Sequence, residues 1–171
     1  MPCPDLVAII PAAGKGERFG GPKAEAGLDN STFLDRVRAT LAAAGVSDVY
    51  VAQGLNTPDM LATLRHAVGE LASPGVKGYL IFPVDHPCVK PETVQALCAA
   101  WNSYPDAVYR PSCQGRPGHP VIIPAWLDLA ADDAGQGLVG IIRARACSVI
   151  DVPVDDPEIL RNVNRPQDLE N

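Results

Sequence analysis

The chain has 171 residues, close to the usual size of one domain, so residues 1–171 are expected to form a single domain. A formal net charge of −6 and a sequence pI of about 4.9 argue against binding to nucleic acid or to a membrane surface, because both are anionic. The five cysteines include no C-x-x-C pair, and no signal peptide or membrane span is present, which predicts a cytoplasmic protein with reduced thiols.

The first third of the chain predicts a strand, a loop and a capped helix. Leu6–Ile10 is a continuous apolar run that ends at Pro11, as expected of a strand buried on both faces. A glycine-rich loop follows. Thr32, with Asp35 three residues later, predicts a capping box at the start of a helix that ends at Gly45.

The middle of the chain continues the alternation of strands and helices. Asp48–Gln53 predicts a strand, and Thr57 with the next two residues, Pro-Asp, predicts a helix start in which the threonine hydroxyl is the cap. Tyr79–Val84 predicts another buried strand with Asp85 at its C-terminal end. Pro91 opens the next helix.

In the last third the predicted elements are shorter. Ala107–Tyr109 predicts a strand, Arg110–Pro120 a loop and Val121–Ile123 a strand, followed by the elements 137–146 (helix), 149–152 (strand) and 166–169 (helix). This alternation predicts an α/β fold with three α/β/α layers and a mainly parallel sheet. Ligands of such sheets bind at the C-terminal ends of the strands, where the glycine-rich loop and Asp85 are expected to meet.

The loop from Ala12 to Lys23 is typical of phosphate binding. Its glycines allow main-chain N–H groups to converge on an anion, and Lys15, Arg18 and Lys23 add positive charge. The Walker pattern fails because Gly21 is followed by proline, and the dinucleotide fingerprint fails because Phe19 occupies the third glycine position, which argues against a dehydrogenase. The alternative to phosphate binding is that this segment is a flexible surface loop with no function.

The loop pattern A-A-G-x-G-x-R-x-G-x-P-K resembles the signature of the MobA-like or MocA family, which has a GT-A-like fold and includes the molybdenum cofactor cytidylyl- and guanylyltransferases. The resemblance implies that the loop binds a nucleoside triphosphate, with CTP or GTP favoured. It implies that Arg18 and Lys23 contact the phosphates and are catalytic. The implied nucleotide-binding residues are Ala12, Ala13, Gly14, Lys15, Gly16, Arg18 and Lys23.

Three further segments resemble the same family. In P-V-D-H-P, Asp85 stands where the family has its Mg²⁺-binding aspartate, although an aspartate that only caps a turn is the alternative. In G-R-P-G-H-P-V, His119 is implied to contact the acceptor substrate, whereas a solvated histidine in a tight turn is the alternative. In N-V-N-R-P-Q-D-L, asparagines replace two acids, and Asn164 is implied to be a second metal ligand unless it only forms a turn.

The chain departs from the family pattern in two places. Only Val49–Leu71 lies between the first helix and the D-x-P strand, where the family usually has two strand–helix units, so the fold is expected to be shortened. Ala134–Val139 lacks the arginine of the family's G-D-x-G-A-R motif. The resemblance implies transfer of a nucleoside monophosphate to a phosphorylated acceptor, with molybdopterin as a candidate. A sugar-phosphate nucleotidyltransferase and a non-catalytic nucleotide-binding or regulatory module remain as alternatives.

Overall fold

The structure, a computed structural model, describes residues 5–13, 27–28, 31–131, 135–163 and 168. Its strands in chain order are β1 (Leu6–Pro11), β2 (Gly27–Leu28), β3 (Ser31–Thr32), β4 (Val49–Ala52), β5 (Gly78–Ile81), β6 (Val108–Cys113), β7 (Arg116–Pro117), β8 (Val121–Pro124) and β9 (Val149–Pro153). Its helices are α1 (Phe33–Ala43), α2 (Met60–Leu71), α3 (Pro91–Ser103) and α4 (Gly137–Ala144), and Pro157–Leu160 forms a 3-10 helix.

Seven of these strands form one sheet. β1 lies between β4 and β5 and is parallel to both, and β6 is parallel to β9, which forms one edge. β8 joins β5 to β6 and is antiparallel to both, and β7 forms a short antiparallel hairpin with β6. Five strands therefore share one direction while β7 and β8 oppose it. β2 and β3 pair separately.

Helices cover both faces of the sheet. The core on one face contains Phe33 and Leu41 of α1 and Leu97 of α3, and the core on the other contains Leu64 of α2 and Ile141 of α4. Strand residues alternate between the two cores, as Ile10 and Ile9 of β1 do, because successive side chains of a strand point to opposite faces. The predicted α/β fold with three layers is confirmed.

The capping box that the sequence predicts for α1 is present. The Thr32 hydroxyl accepts from the Asp35 N–H at 3.1 Å, and the Asp35 carboxylate accepts from the Thr32 N–H at 3.0 Å. The helix ends at Ala43 with Ala44 as its C-cap, and Gly45 follows with a φ of 84°, which suits glycine. Hydrogen bonds with the Thr32 hydroxyl and N–H lower the pKa of the Asp35 carboxyl.

The start of α2 differs from the prediction. Asp59, not Thr57, caps this helix, with its carboxylate accepting from the Ala62 N–H at 2.8 Å. The Thr57 hydroxyl instead lies 2.6 Å from the Thr63 hydroxyl. Both residue types favour N-caps, so the local sequence does not decide between them.

Two strand boundaries were also predicted wrongly. β5 ends at Ile81, so the residues from Phe82 to Val84 form the approach to Asp85 and do not extend the strand. β6 continues to Cys113, although Arg110–Pro120 was predicted to be a loop. The 3-10 helix at Pro157–Leu160 was not predicted, and the helix predicted at 166–169 falls in a segment of which only residue 168 is described.

One strand–helix unit, β4 with α2, separates α1 from β5, as the sequence analysis expected. The described cysteines, Cys88, Cys98, Cys113 and Cys147, are all free thiols, in agreement with the prediction for these four. None of the described helices has the length and apolar character that crossing a bilayer requires.

Candidate functional site

The predicted loop and Asp85 leave the same edge of the sheet. β1 and β5 are adjacent and parallel, with Ile9 in register with Ile81, and the Phe82 N–H continues this pairing by donating to the Ile9 carbonyl at 2.9 Å. The chain that follows β1 and the turn that carries Asp85 therefore emerge side by side. This is the C-terminal edge of the parallel strands, where α/β proteins bind ligands.

Only the beginning of the predicted nucleotide loop is described. Ala12 is buried, and its N–H donates to the Ala52 carbonyl at 3.0 Å, so this N–H belongs to the pairing of β1 with β4. Ala13 is half-buried at the edge of the sheet. The other residues predicted for this loop lie outside the described residues: Gly14, Lys15, Gly16, Arg18 and Lys23.

Asp85 lies in the turn between β5 and α3. Its side chain is 18% exposed, and its Oδ1 is 3.0 Å from Nδ1 of His86, a buried neighbour. With its proton on Nδ1, His86 donates a hydrogen bond to the carboxylate and fixes its orientation. The turn is held by the His86 N–H, which donates to the Pro83 carbonyl at 3.2 Å.

His119 approaches the same turn from the hairpin before β8. Its ring packs edge-on against that of His86, with 4.8 Å between the ring centroids. Burial, with a further contribution from His86, lowers the pKa of His119 to about 4, while Asp85 acts in the opposite direction. His119 is therefore neutral at neutral pH, and its Nδ1 has no hydrogen-bond partner among the described residues. His119 is half-buried in the turn before β8, and its contact with the acceptor stays a prediction.

The segment after β9 packs against both of these turns. The Val163 N–H donates to the Asp85 carbonyl at 2.8 Å, and the His119 N–H donates to the Ile159 carbonyl at 3.0 Å. The residue just before the predicted metal ligand Asn164 is thus hydrogen-bonded to the main chain of Asp85. Asn164 itself lies outside the described residues. Asn162 is described and exposed.

A pocket of about 690 Å³ begins at this pair of histidines. We call it the α4 pocket. Its lining comes from α4, from the β6–β7 hairpin and from the 3-10 helix. Among its lining residues are His86, His119, Arg110, Arg116, Arg143, Leu138, Val139, Ile142, Val149 and Asn162. An apolar surface with several arginines is thereby open next to Asp85.

Several of these residues belong to no functional motif of the sequence. The one sequence signal for a role of His86 is its position directly after Asp85. Arg116 and Arg143 are 27 positions apart in the numbering. Only the fold brings them to one pocket, so no local pattern identifies them.

The Asp85 carboxylate suits a hard divalent cation whose other ligands come mainly from the substrate. In the described part of the chain, no group of three or more His, Cys, Asp or Glu residues could hold a metal by itself. Mg²⁺ is commonly held by one or two carboxylates together with waters and substrate phosphates, so it does not require such a cluster. The carboxylate oxygens of Asp85, at the C-terminal edge of the parallel strands, fit this kind of site.

Comparison with known proteins identifies the family. The family model described as MobA-like NTP transferase domain matches residues 8–148. A search of curated proteins finds no match.

The fold is similar to several solved structures. Rv0371c from Mycobacterium tuberculosis is 19% identical with a TM-score of 0.79, and the match covers 99% of this chain and 97% of that one. A nucleotidyl transferase from Methanothermobacter thermautotroptrophicus is 20% identical with a TM-score of 0.73, over 95% and 93% of the two chains. The 2-C-methyl-D-erythritol 4-phosphate cytidylyltransferase from Thermus thermophilus is 17% identical with a TM-score of 0.71, over 97% and 96%.

The family match covers most of the chain, including most of β1, the loop that follows it and the turn that carries Asp85. The structural neighbours share the fold over nearly the full length of each chain. The chain therefore belongs to the MobA-like NTP transferase domain family and is a nucleotidyltransferase.

Proposed function

We propose that residues 1–171 form one nucleotidyltransferase domain that transfers a nucleoside monophosphate from a nucleoside triphosphate to a phosphorylated acceptor, with release of pyrophosphate. The observation that carries the proposal is that the end of β1 and the turn carrying Asp85 follow two adjacent parallel strands, at one edge of the sheet and beside the α4 pocket. Nucleotide, metal and acceptor would then meet at this edge.

The nucleotide lies on the loop that follows β1. Main-chain N–H groups of Ala13, Gly14, Lys15 and Gly16 would bind the phosphates, and Ala12 anchors the start of the loop through its hydrogen bond to β4. Lys15, Arg18 and Lys23 neutralise the phosphate charge. Arg18 and Lys23 have the catalytic role of stabilising the charge that develops on the leaving pyrophosphate.

The divalent cation, Mg²⁺ in this proposal, lies on Asp85, with the amide oxygen of Asn164 as a second ligand. A Rv0371c structure in complex with manganese, 18% identical over 88% of each chain with a TM-score of 0.68, supports a divalent metal in this family. When bound, such a cation offsets negative charge on the phosphates. His86 keeps the Asp85 carboxylate oriented towards the cleft.

The reaction needs no protein nucleophile. An oxygen of the acceptor phosphate attacks the α-phosphorus, a new P–O bond forms, and the bond to the β-phosphate bridging oxygen breaks, so that pyrophosphate leaves with the electron pair. The work of the chain is to align the two substrates and to neutralise charge. His119, neutral at neutral pH, contacts the acceptor without adding a positive charge.

The favoured acceptor class is that of the molybdenum cofactor cytidylyl- and guanylyltransferases, with CTP or GTP as the nucleotide and molybdopterin as a candidate acceptor. The alternative is a sugar phosphate, which the structural similarity to a 2-C-methyl-D-erythritol 4-phosphate cytidylyltransferase favours. A second alternative is a module that binds the nucleotide without turnover. Asparagines at positions 162 and 164, where the resembled motif has acids, favour it.

Pyrophosphate release tests the proposal. The full chain is incubated with CTP, GTP, ATP or UTP, with Mg²⁺ or Mn²⁺, and with molybdopterin or 2-C-methyl-D-erythritol 4-phosphate as acceptor. We expect release that requires metal, one nucleotide and one acceptor. Nucleotide binding in a thermal-shift assay without release for any acceptor would instead indicate the non-catalytic module.

Two substitutions test the assigned roles. Asp85→Asn and Lys23→Ala should each lower turnover by roughly two to three orders of magnitude, because each removes a charge that acts on the transferring phosphates. Asp48→Asn is the matched control, since Asp48 is exposed and precedes β4 at the opposite edge of the sheet. Turnover near the wild-type value in either variant would refute the role given to that residue.

A further inference from the structure

The α4 pocket has an apolar wall that is open to solvent. Leu138, Val139 and Ile142 of α4 line it together with Val149 of β9. Val139 is 53% exposed and Val149 is 40% exposed, which is high for large apolar side chains. Exposed apolar side chains that are grouped in a concave site mark a surface that a ligand covers.

The polar groups of the same pocket are cationic. Arg110 forms an ion pair with Asp151 at 2.5 Å, which neutralises its charge. The guanidinium group of Arg143 donates to the neutral amide oxygen of Gln136 at 3.0 Å and to no carboxylate of the described residues. Arg116 is exposed, and its guanidinium group has no hydrogen bond or ion pair with any residue that the structure describes.

No carboxylate lines the pocket among the described residues, although the chain as a whole has a net charge of −6. Two arginines that have no counter-charge among the described residues, beside an apolar wall, are therefore a local exception on an acidic protein. Guanidinium groups match the geometry of phosphate oxygens and bind them through paired hydrogen bonds. The pocket is suited to an anion that carries an apolar body.

We propose that Arg116 and Arg143 select the acceptor by its phosphate, and that the apolar wall of α4 selects an aromatic or aliphatic body and discriminates against a sugar. The inference rests on the proposed function, because the pocket begins at the two histidines beside Asp85. Sugar hydroxyls placed against Leu138, Val139 and Ile142 would lose hydrogen bonds to water without gaining partners. An aromatic ring loses none and gains apolar contact.

The position of Arg116 supports this assignment. It stands three residues before His119 in the same hairpin, and both line the pocket. Arg143 belongs to α4 and Arg116 to β7, so the two pocket arginines come from different elements. Each belongs to an element with other structural anchors, α4 through Ile141 in the core and the hairpin through β6, so that removing either charge leaves the fold intact.

Calorimetric titration of the full chain tests the inference with three probes: phenyl phosphate, glucose 1-phosphate and inorganic phosphate. We expect phenyl phosphate to bind at least ten-fold more tightly than either of the others. Arg116→Ala and Arg143→Ala should each weaken its binding at least five-fold. Val139→Ser should weaken phenyl phosphate binding but leave the affinity for inorganic phosphate unchanged.

The matched control is Arg145→Ala. Arg145 follows α4 directly, is paired with Asp128 at 3.1 Å and does not line the pocket. Its replacement removes one positive charge from the same region of the protein, so a general electrostatic effect on anion binding would weaken binding in this variant as well. We expect its affinity for all three probes to equal that of the wild type.

Three results overturn the inference: glucose 1-phosphate binding as tightly as phenyl phosphate, a double variant of Arg116 and Arg143 that binds phenyl phosphate as the wild type does, and a folded protein that binds none of the probes. Nucleotide binding and pyrophosphate release measured on the same preparation separate the two proposals. If these persist while the probes fail, only the selection by the α4 pocket is wrong. If nucleotide binding is absent, the proposed function fails.

Discussion

Replacement of Asp156 by alanine should destabilise the protein more than removal of any exposed helix cap. Asp156 is 1% exposed and belongs to the turn after β9. One carboxylate oxygen accepts from the Lys90 N–H at 2.9 Å and from the Thr93 hydroxyl at 2.7 Å, and the other accepts from the Glu158 N–H at 3.1 Å. Lys90 is the N-cap residue of α3 and its own side chain makes no capping hydrogen bond, so Asp156 supplies the cap from a distant segment.

The size of the effect follows from these three hydrogen bonds. A hydrogen bond to a charged group contributes about 1.5–3 kcal/mol, but the desolvation of the buried carboxylate offsets part of the total. Asp156→Ala leaves three donors without an acceptor, for a net loss of about 3 kcal/mol. For a chain of this length such a loss lowers the Tm by roughly 6–12 °C.

Urea unfolding of the full chain measures this loss, with Asp59→Ala as the matched control. Asp59 caps α2 in an exposed position and accepts one hydrogen bond, from the Ala62 N–H, so its removal should cost about 1 kcal/mol. Thr93→Val removes one of the three donors to Asp156 and should cost about the same. If Asp156→Ala is no more destabilising than Asp59→Ala, the buried carboxylate is not the cap of α3 and the reasoning is wrong.

Two further predictions concern the hairpin beside the site. Because the pKa of His119 is lowered to about 4 from 6.5, the unfolded chain takes up this proton first as the pH falls. The contribution of His119 to the free energy of unfolding is constant above pH 6.5 and declines between pH 6.5 and about 4, by about 3 kcal/mol at the lower limit. His119→Gln should remove this part of the pH dependence when the free energy of unfolding is measured against pH. Gly118→Ala would place a Cβ 2.2 Å from the Ile159 carbonyl oxygen and should cost about 2 kcal/mol or more in urea unfolding, whereas Gly69→Ala, in open space on α2, should stabilise by about 0.5–1 kcal/mol. Equal effects of the two alanines would contradict the close approach at Gly118.

The parts of the fold that the sequence predicted correctly are those with a local signal. The Thr32–Asp35 capping box and the apolar run of β1 are both properties of a few consecutive residues. The family resemblance depends on the same kind of signal, since its loop is one uninterrupted pattern. It therefore identified the fold and the reaction class before any contact between distant residues was known.

The errors arise where distant residues decide the structure. Arg110–Cys113 contain proline and polar residues of low strand propensity, yet they form a strand because Asp151–Pro153 of β9 pair with them. The α4 pocket is likewise assembled from α4, the hairpin and the 3-10 helix, and no spacing in the sequence relates Arg116 to Arg143. His86 was visible beside Asp85, but its contact with His119 depends on the packing of two turns.

The segment after β9 has a larger part in the site than its place in the sequence suggests. The family match ends at residue 148, whereas three residues beyond that point hold the turns that form the cleft. Asp156 caps α3, the Ile159 carbonyl accepts from the His119 N–H, and the Val163 N–H donates to the Asp85 carbonyl. Substitutions of Ile159 or Val163 should therefore displace His119 and Asp85, and a weaker affinity for the acceptor in calorimetric titration is the expected result.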